Sequence, residues 1–224
     1  MKDNINRRNF IAAAGAAAFA STSAFAAEAG SNAALKILGV SCSPRKGMTT
    51  AKAVQAALDA AKSVNPAIVT ELVDLGGLNI GGYSPSPMKD DFASILPKLQ
   101  DPSLAGLIIG SPSYFRSMSS LCKAFIERCA ALREPKMLLA NKPVGVVAVG
   151  QFRNGGQELT IEQIQAAMLC FGMIVVGGNP PAFQGGTVVP TKEDIKADEL
   201  GLTTLKQLGV HVAEVALRLA GKSV

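Results

Sequence analysis

The chain has 224 residues, of which 48% are hydrophobic and 17% are charged, and its formal net charge is +5. This share of apolar residues favours a folded domain with a sizeable core and excludes a disordered or fibrous chain. The mild positive charge comes without a run of basic residues or interleaved aromatic residues, so we expect no nucleic-acid partner.

The first 26 residues have the pattern of an export signal. Asn6-Arg7-Arg8-Asn9-Phe10-Ile11 is a twin-arginine sequence, an apolar run follows it, and Ala24-Phe25-Ala26 supplies small residues around a cleavage position. The alternatives are a transmembrane anchor and an ordinary amphipathic helix, but a span needs about 20 strongly apolar residues. We therefore expect a twin-arginine signal peptide over residues 1–26. The mature protein is expected to be periplasmic or otherwise extracytoplasmic, without a membrane span.

Residues 27–34 have the composition of a linker, and from Leu35 short apolar runs alternate with helical patterns. This alternation predicts repeated strand–helix–strand units. The predicted strands are Leu35–Ser41, Ile68–Leu75, Gly106–Gly110, Val144–Gly150 and Met173–Gly177. The second contains Thr70, Glu71 and Asp74, which favours an edge position. The others are nearly continuous Val, Ile and Leu runs, typical of parallel strands that are buried on both faces.

Helical patterns lie between the predicted strands. Apolar stripes run over Val54–Ala61, Met118–Cys129, Ile161–Met168 and Leu205–Leu219, and a weaker pattern runs from Asp90 to Gln100. The third stripe follows Thr160-Ile161-Glu162-Gln163, which has the pattern of a capping box. Together these elements predict an α/β domain over residues 35–224, with a doubly wound, five-stranded parallel sheet in the order 2-1-3-4-5.

The four cysteines, Cys42, Cys122, Cys129 and Cys170, have no paired C-x-x-C spacing, which argues against a zinc or iron–sulfur site. Cys122 and Cys129 are on one predicted helix, where their separation is about 10 Å. A disulfide bridges Cα atoms that are at most about 7 Å apart. We therefore predict buried free thiols and no metal site.

The loop after the first strand, here called the phosphate loop, is residues 41–50, Ser41-Cys42-Ser43-Pro44-Arg45-Lys46-Gly47-Met48-Thr49-Thr50. In a doubly wound sheet, ligands bind beyond the carboxyl ends of the strands, where the strand order reverses. The loop has neither the G-x-G-x-x-G pattern of dinucleotide sites nor the lysine pattern of triphosphate sites. Its hydroxyls, its guanidinium and the following helix amino terminus suit a phosphate monoester. The alternative is a helix start that a Ser or Thr side chain caps.

Two further loops are expected at the same edge of the sheet. The second loop is residues 110–117, Gly-Ser-Pro-Ser-Tyr-Phe-Arg-Ser, and the third loop is residues 150–158, Gly-Gln-Phe-Arg-Asn-Gly-Gly-Gln-Glu. Tyr114 and Phe115 either pack against a planar ligand or cover the end of the core. The run Asn154-Gly155-Gly156 either forms a turn or lets backbone amides approach a ligand.

Three stretches, residues 37–54, 89–128 and 141–178, resemble the flavodoxin-like NADPH-dependent FMN reductase family. They are most similar to its multimeric-flavodoxin and iron–sulfur flavoprotein branch. The resemblance covers about residues 35–180 in order and includes all three loops. It implies a flavodoxin-like fold, a noncovalently bound FMN and an FMN-dependent oxidoreductase.

The resemblance also implies which residues bind FMN. They are Ser41, Ser43, Arg45, Thr49 and Thr50 at the phosphate, Pro112, Ser113, Tyr114 and Phe115 at the isoalloxazine ring, and Asn154, Gly155 and Gly156 in the third loop. Residues 79–87 lack the clustered cysteines of the iron–sulfur branch, so we expect a flavin without a cluster. Because the flavin itself transfers electrons, we predict no catalytic side chain. His211, the one histidine, is expected to be structural.

We therefore expect an exported FMN-dependent oxidoreductase that is similar to NAD(P)H:FMN or quinone reductases. The alternatives are a non-catalytic electron carrier of the flavodoxin type and a phosphate-binding module that has lost its cofactor. The expected partner is a redox protein or a small-molecule electron acceptor. We also expect a homo-oligomer, either a dimer or a tetramer. Residues 181–202 match no pattern and carry no prediction.

Overall fold

The computed structural model describes residues 33–86 and 88–224, and residues 34–224 form one compact unit. The predicted signal peptide over residues 1–26 lies outside the described residues, as does most of the predicted linker. Within the described ranges, no helix combines the length and the apolar character that crossing a bilayer requires.

A parallel sheet forms the centre of this unit. Its strands are β1 (Leu35–Ser41), β2 (Ile68–Asp74), β3 (Leu104–Tyr114), β5 (Pro143–Val149), β6 (Ile174–Val175) and β7 (Gly186–Val188), and β4 (Ser117–Met118) pairs antiparallel with the end of β3. The order across the sheet is β2-β1-β3-β5-β6. Counted over the main strands, this is the predicted order 2-1-3-4-5. The edge position predicted for the second strand is also confirmed.

Two short strands share the fifth position of the sheet. The start of β5 pairs with β6, whereas Val147–Val149 at its end pairs with β7, and both pairings are parallel. The prediction of one strand over Met173–Gly177 was therefore too long at its carboxyl end. The chain leaves the sheet after Val175 and returns at Gly186, so part of the segment without a recognisable pattern completes the sheet.

Helices cover both faces of the sheet. They are α1 (Thr49–Lys62), α2 (Leu96–Leu99), α3 (Ser120–Arg128), α4 (Gln157–Leu169) and α5 (Glu199–Leu219). Ile108 packs with α1 and α5, whereas its neighbour Leu107 packs with α3 and α4. Successive side chains of a strand point to opposite faces, which explains the continuous apolar runs. Each fully buried Ile or Leu contributes about 1.5–3 kcal/mol relative to an exposed one.

Two glycines let α1 lie close to the sheet. An added Cβ at Gly39 would be 2.6 Å from side-chain atoms of Val54 and Leu58, and one at Gly110 would be 2.2 Å from Val54 Cγ2. Both distances are too short for a real contact, so a larger residue at either position would displace α1. The close packing brings the amino terminus of α1 to the carboxyl ends of β1 and β3.

The capping box predicted at Thr160 is wrong. Helix α4 begins at Gln157, and its cap is Gly156 in the left-handed conformation with φ of 87°. Thr160 lies inside the first turn, where its hydroxyl donates to the Gly156 carbonyl oxygen at 3.0 Å. Glycine adopts this backbone conformation without strain. Gly156 is therefore the cap residue, and the helix begins three residues before Thr160.

Candidate functional site

The three predicted loops lie at one edge of the sheet because β1, β3 and β5 are parallel neighbours. Ser41 of β1 is level with Gly110 of β3, and Pro112 of β3 is level with Val149 of β5. The chain runs from β1 to β2 on one side and reaches β3 on the other, so the strand order reverses between β1 and β3. This is the point at which doubly wound proteins bind ligands.

Helix α1 begins without a side-chain cap. Its cap residue is Met48, and among the residues described no side-chain oxygen accepts from the first-turn N–H groups. The alternative of a Ser- or Thr-capped start is therefore wrong. Thr49 and Thr50 lie buried inside the first turn. The amino terminus of this 14-residue helix thus offers unpaired N–H donors and the positive end of the helix dipole to an anion.

The Ser41 hydroxyl is fully buried at the end of β1 and has no hydrogen-bond partner in the described part of the chain. An unpaired buried hydroxyl costs about 1–3 kcal/mol, and native proteins rarely keep one without a reason. A phosphate oxygen would accept this hydrogen, since phosphates are strong acceptors. The residues present therefore fit a phosphate monoester at the start of α1.

The other predicted residues of the phosphate loop make contacts within the protein. The Arg45 N–H donates to Ser43 Oγ at 3.2 Å, and the Gly47 N–H donates to Asp74 Oδ2 at 2.6 Å, which fastens the loop to the end of β2. Arg45 Nη1 lies 2.9 Å from Glu193 Oε1. Sequence reasoning missed Glu193, because it belongs to the segment without a recognisable pattern.

The second loop contains a hairpin. Strand β3 continues to Tyr114, which pairs with Ser117 of β4. The turn residues Phe115 and Arg116 have φ of 52° and 65°, the positive values that a tight two-residue hairpin turn needs. Tyr114 is 42% exposed and Phe115 is 104% exposed, so the alternative that both cover the core is wrong. Pro112 is buried within β3.

The third loop is hydrogen-bonded to this hairpin. Ser113 Oγ donates to the Gly155 carbonyl oxygen at 2.8 Å, and Arg116 Nη1 lies 3.5 Å from the Asn154 carbonyl oxygen. An added Cβ at Gly156 would be 2.8 Å from Arg116 Cα, so the two backbones pack directly against each other. Asn154, Gly155 and Gly156 thus form a turn that is fixed beside the second loop.

Ser119 links the phosphate loop to the second loop, and sequence reasoning missed it. Its Oγ donates to the Cys42 carbonyl oxygen at 2.6 Å and accepts from the Cys122 N–H at 3.0 Å, which caps α3. Its own N–H donates to Ser111 Oγ at 3.0 Å. A serine just before an apolar helical stripe is a helix-start signal, so the pattern was available.

Three of the four cysteines are buried free thiols, as predicted, but Cys170 is exposed. Burial raises the pKa of Cys42 well above its ordinary value, and Cys122 beside it raises the pKa further. The Cys42 thiol therefore stays protonated and is a poor nucleophile. Within residues 33–86 and 88–224, no group of His, Cys, Asp and Glu side chains is arranged to hold a metal ion.

Carboxylates hold the backbone of residues 79–83, in the segment where the sequence has no cysteines. The Asn79 N–H donates to Asp91 Oδ2 at 2.7 Å, and the Gly81 N–H donates to Asp90 Oδ2 at 3.0 Å. The Tyr83 N–H donates to Glu127 Oε2 at 2.7 Å. The hydrogen bond from Lys123, and to a smaller extent the one from the Tyr83 N–H, hold the pKa of Glu127 below its ordinary value. Beside the segment lies a cleft of about 860 Å³, and its described lining residues belong to none of the three loops.

Comparison with known proteins identifies the family. The model of the NADPH-dependent FMN reductase family matches residues 35–187. The chain is 40% identical over 192 residues to an iron–sulfur flavoprotein of Methanocaldococcus jannaschii, a match that covers 81% of this chain and 97% of that protein. It is 33% identical over 190 residues to an iron–sulfur flavoprotein of Methanosarcina thermophila, covering 81% and 95%.

Solved structures show the same fold. RosB with bound 8-demethyl-8-formylriboflavin-5′-phosphate has a TM-score of 0.68 at 15% identity, covering 84% of this chain and 81% of RosB. A WrbA-like flavodoxin from Agrobacterium tumefaciens has a TM-score of 0.59 at 16% identity, covering 83% and 98%. These likenesses confirm the predicted flavodoxin-like architecture. Since the family model matches most of its length, the chain belongs to the NADPH-dependent FMN reductase family and is an FMN-dependent oxidoreductase.

Proposed function

We propose that the phosphate loop binds the phosphate of FMN and that the second and third loops hold its isoalloxazine ring. The observation that carries this proposal is the buried, unpaired hydroxyl of Ser41 next to a helix whose first turn has no side-chain cap in the described residues. Bound FMN supplies the redox chemistry, since it accepts and donates a hydride or single electrons. The protein supplies binding and orientation.

In this proposal the phosphate receives several kinds of donor. The Ser41 hydroxyl donates from the end of β1, and Thr49 and Thr50 contribute hydroxyls from the first turn of α1. Ser43 keeps the loop turned, because its hydroxyl already accepts from the Arg45 N–H. A guanidinium has five N–H donors, so Arg45 retains donors beyond the one that Glu193 accepts. Hydroxyl and guanidinium donors favour a phosphate over a neutral group.

The residues proposed to bind the ring lie on two loops that are joined by a hydrogen bond. Ser113 and Gly155 are hydrogen-bonded, which holds the second and third loops together. Tyr114 and Phe115 expose aromatic surface at this edge, and aromatic rings stack favourably on planar ligands. No acid or base is required of the side chains. His211 lies on α5 with its Nδ1 2.8 Å from the Gly177 carbonyl oxygen, which fits the expected structural role.

We further propose that the protein is exported by the twin-arginine route, on the basis of the Arg7-Arg8 pattern. This route carries folded proteins, which suits a chain that encloses FMN in the cytosol before it crosses the membrane. Pyridine nucleotides are not maintained outside the cytoplasm. We therefore infer that the physiological electron donor is a redox protein or a quinol and is not free NADPH.

Stopped-flow reduction of the purified protein by NADPH, NADH, a quinol and periplasmic redox proteins tests the proposal, together with fractionation of the cells. We expect fast flavin reduction by a quinol or a redox protein, and loss of export when Arg7 and Arg8 are both replaced by Lys. If micromolar NADPH reduces the flavin in a fast, saturable reaction and the protein is found in the cytoplasm, both the proposed electron donor and the proposed export are wrong. A flavin that no donor reduces would contradict the proposed electron transfer.

A further inference from the structure

Residues 189–198 form a short hairpin, here called the strap. Thr191 and Asp194 exchange two backbone hydrogen bonds of 2.8 and 3.0 Å. Lys192 and Glu193 between them have φ of 49° and 62°, which is the backbone of a tight two-residue turn. Glu193 is therefore at the tip of the strap.

The base of the strap is attached to the third loop through Asp198. This buried carboxylate accepts from the Val189 N–H at 2.7 Å and from the Gly201 N–H at 2.9 Å, and it forms an ion pair with Arg153. Burial by itself would raise the pKa of Asp198, but the two N–H donors and Arg153 outweigh that effect and hold the pKa below its ordinary value. The carboxylate therefore stays charged and keeps the base of the strap in place.

The tip of the strap contacts the phosphate loop and α1. Glu193 Oε1 accepts from Arg45 Nη1 at 2.9 Å, and the Glu193 carbonyl oxygen accepts from Lys52 Nζ at 2.9 Å. Arg45 is in the phosphate loop, and Lys52 follows Thr49 by three residues on α1. One residue of the strap thus contacts two cations that flank the start of α1.

We propose that Glu193 is a positioning residue for FMN binding, because it holds the Arg45 guanidinium at the phosphate loop; this inference rests on the proposed binding of the FMN phosphate there. A long side chain loses rotamer entropy when it binds a ligand, and a partner that already restrains it removes part of that cost. The Glu193 carboxylate is itself an anion. However, one carboxylate does not cancel the charges of the two cations Arg45 and Lys52 that it contacts.

The experiment compares FMN with riboflavin, which has no phosphate. Apoprotein of the wild type, Glu193→Ala, Arg45→Ala and the double variant is titrated with each flavin, and binding is measured by quenching of flavin fluorescence. We expect Glu193→Ala to weaken FMN binding about two- to fivefold, the range for an exposed ion pair. The loss disappears in the Arg45→Ala background, because the two residues act as one unit. Riboflavin binds the wild type and Glu193→Ala equally.

Two further variants complete the design. Glu193→Gln keeps an acceptor for Arg45 and is expected to recover part of the lost FMN affinity. Glu199→Ala removes the same charge from an exposed position in the first turn of α5 and is expected to bind FMN like the wild type.

Each of the following results would overturn the role of Glu193. Tighter FMN binding by Glu193→Ala would mean that the carboxylate competes with the phosphate. If Glu193→Ala weakens riboflavin binding as much as FMN binding, the strap only stabilises the fold. The same conclusion follows if Glu193→Ala weakens FMN binding equally in the wild type and in the Arg45→Ala background. Unchanged FMN binding by Glu193→Ala in a wild type that prefers FMN to riboflavin would defeat this inference alone. A wild type that binds FMN no better than riboflavin would defeat the phosphate site and this inference with it.

Discussion

The Ser113 hydroxyl donates to the Gly155 carbonyl oxygen at 2.8 Å, and this contact joins the loops on either side of the proposed ring site. Ser113→Ala removes the donor. We expect the free energy of unfolding to fall by about 0.5–1.5 kcal/mol, the usual contribution of one hydrogen bond. We also expect weaker FMN binding, because the loops are no longer fixed together. Urea unfolding and FMN titration measure the two effects. The control is Ser94→Ala, which removes the hydrogen bond from Ser94 Oγ to the Asp91 carbonyl oxygen at 2.7 Å, outside the three loops. Unchanged FMN affinity in Ser113→Ala would count against the role of this contact.

Replacement of Ser41 is expected to affect stability and binding in opposite directions. Ser41→Ala removes a buried hydroxyl that has no partner in the described chain, so the apoprotein is expected to be as stable as the wild type or more stable. FMN binding is expected to weaken by about 1.5–3 kcal/mol, or about ten- to a hundredfold, because a hydrogen bond to a charged group is lost. Thermal unfolding of the apoprotein tests the expected stability, and FMN titration tests the expected loss of affinity. A variant that binds FMN normally would place the phosphate elsewhere.

Gly110→Ala is expected to displace the start of α1. The new Cβ would be 2.2 Å from Val54 Cγ2 and 3.2 Å from Thr50 Cγ2. Overpacking of this kind costs about 1–3 kcal/mol, and here it also moves a turn that is proposed to bind FMN. The matched control is Gly221→Ala, where φ is 67° but an added Cβ meets no described atom within 4 Å. We expect the control to lose about 1 kcal/mol of stability without losing FMN affinity. Equal FMN affinities in the two variants would contradict the displacement.

The stabilising effect of Asp198 is expected to depend on pH. Its pKa is lower in the folded chain than in the unfolded chain, so its contribution is present above the unfolded value of about 4 and is lost as the pH falls through the folded pKa. We expect Asp198→Asn to be less stable than the wild type by about 1–3 kcal/mol at neutral pH. The difference shrinks below about pH 4. Denaturant unfolding at several pH values measures it, with Glu199→Gln as the control. A difference that stays constant down to pH 2 would show that the charge does not matter.

Strands β1, β3 and β5 could be predicted because their residues are mostly buried on both faces, so each of them contains a continuous apolar run. The bounds of β1 agree with the prediction, Leu35–Ser41. Strand β7 could not be predicted, because Gly186–Val188 is short and its place depends on pairing with β5. The hairpin turn was also missed. Phe115 and Arg116 are not residues that local preference puts at positive φ, and the pairing of β3 with β4 imposes it.

The site could be predicted only in part. The phosphate loop follows from its place after the first strand and from its donors, and the flavin assignment came from the resemblance to a family. The contact between Arg45 and Glu193 joins residues that are 148 positions apart, so no local sequence pattern predicts it. The cap at Asp198 was not predicted, although an aspartate just before an apolar helix is a typical cap. Its ion pair with Arg153 depends on the tertiary fold.

The most direct test of the central claim is the identity of the cofactor in the purified protein. The protein is isolated without added flavin and denatured, and the released cofactor is identified and quantified by chromatography against FMN, FAD and riboflavin. We expect a yellow protein that releases FMN in a ratio of about one per chain, because the phosphate loop offers donors for one terminal phosphate. Release of FAD, or a colourless protein that FMN cannot reconstitute, would contradict the assignment of the phosphate loop.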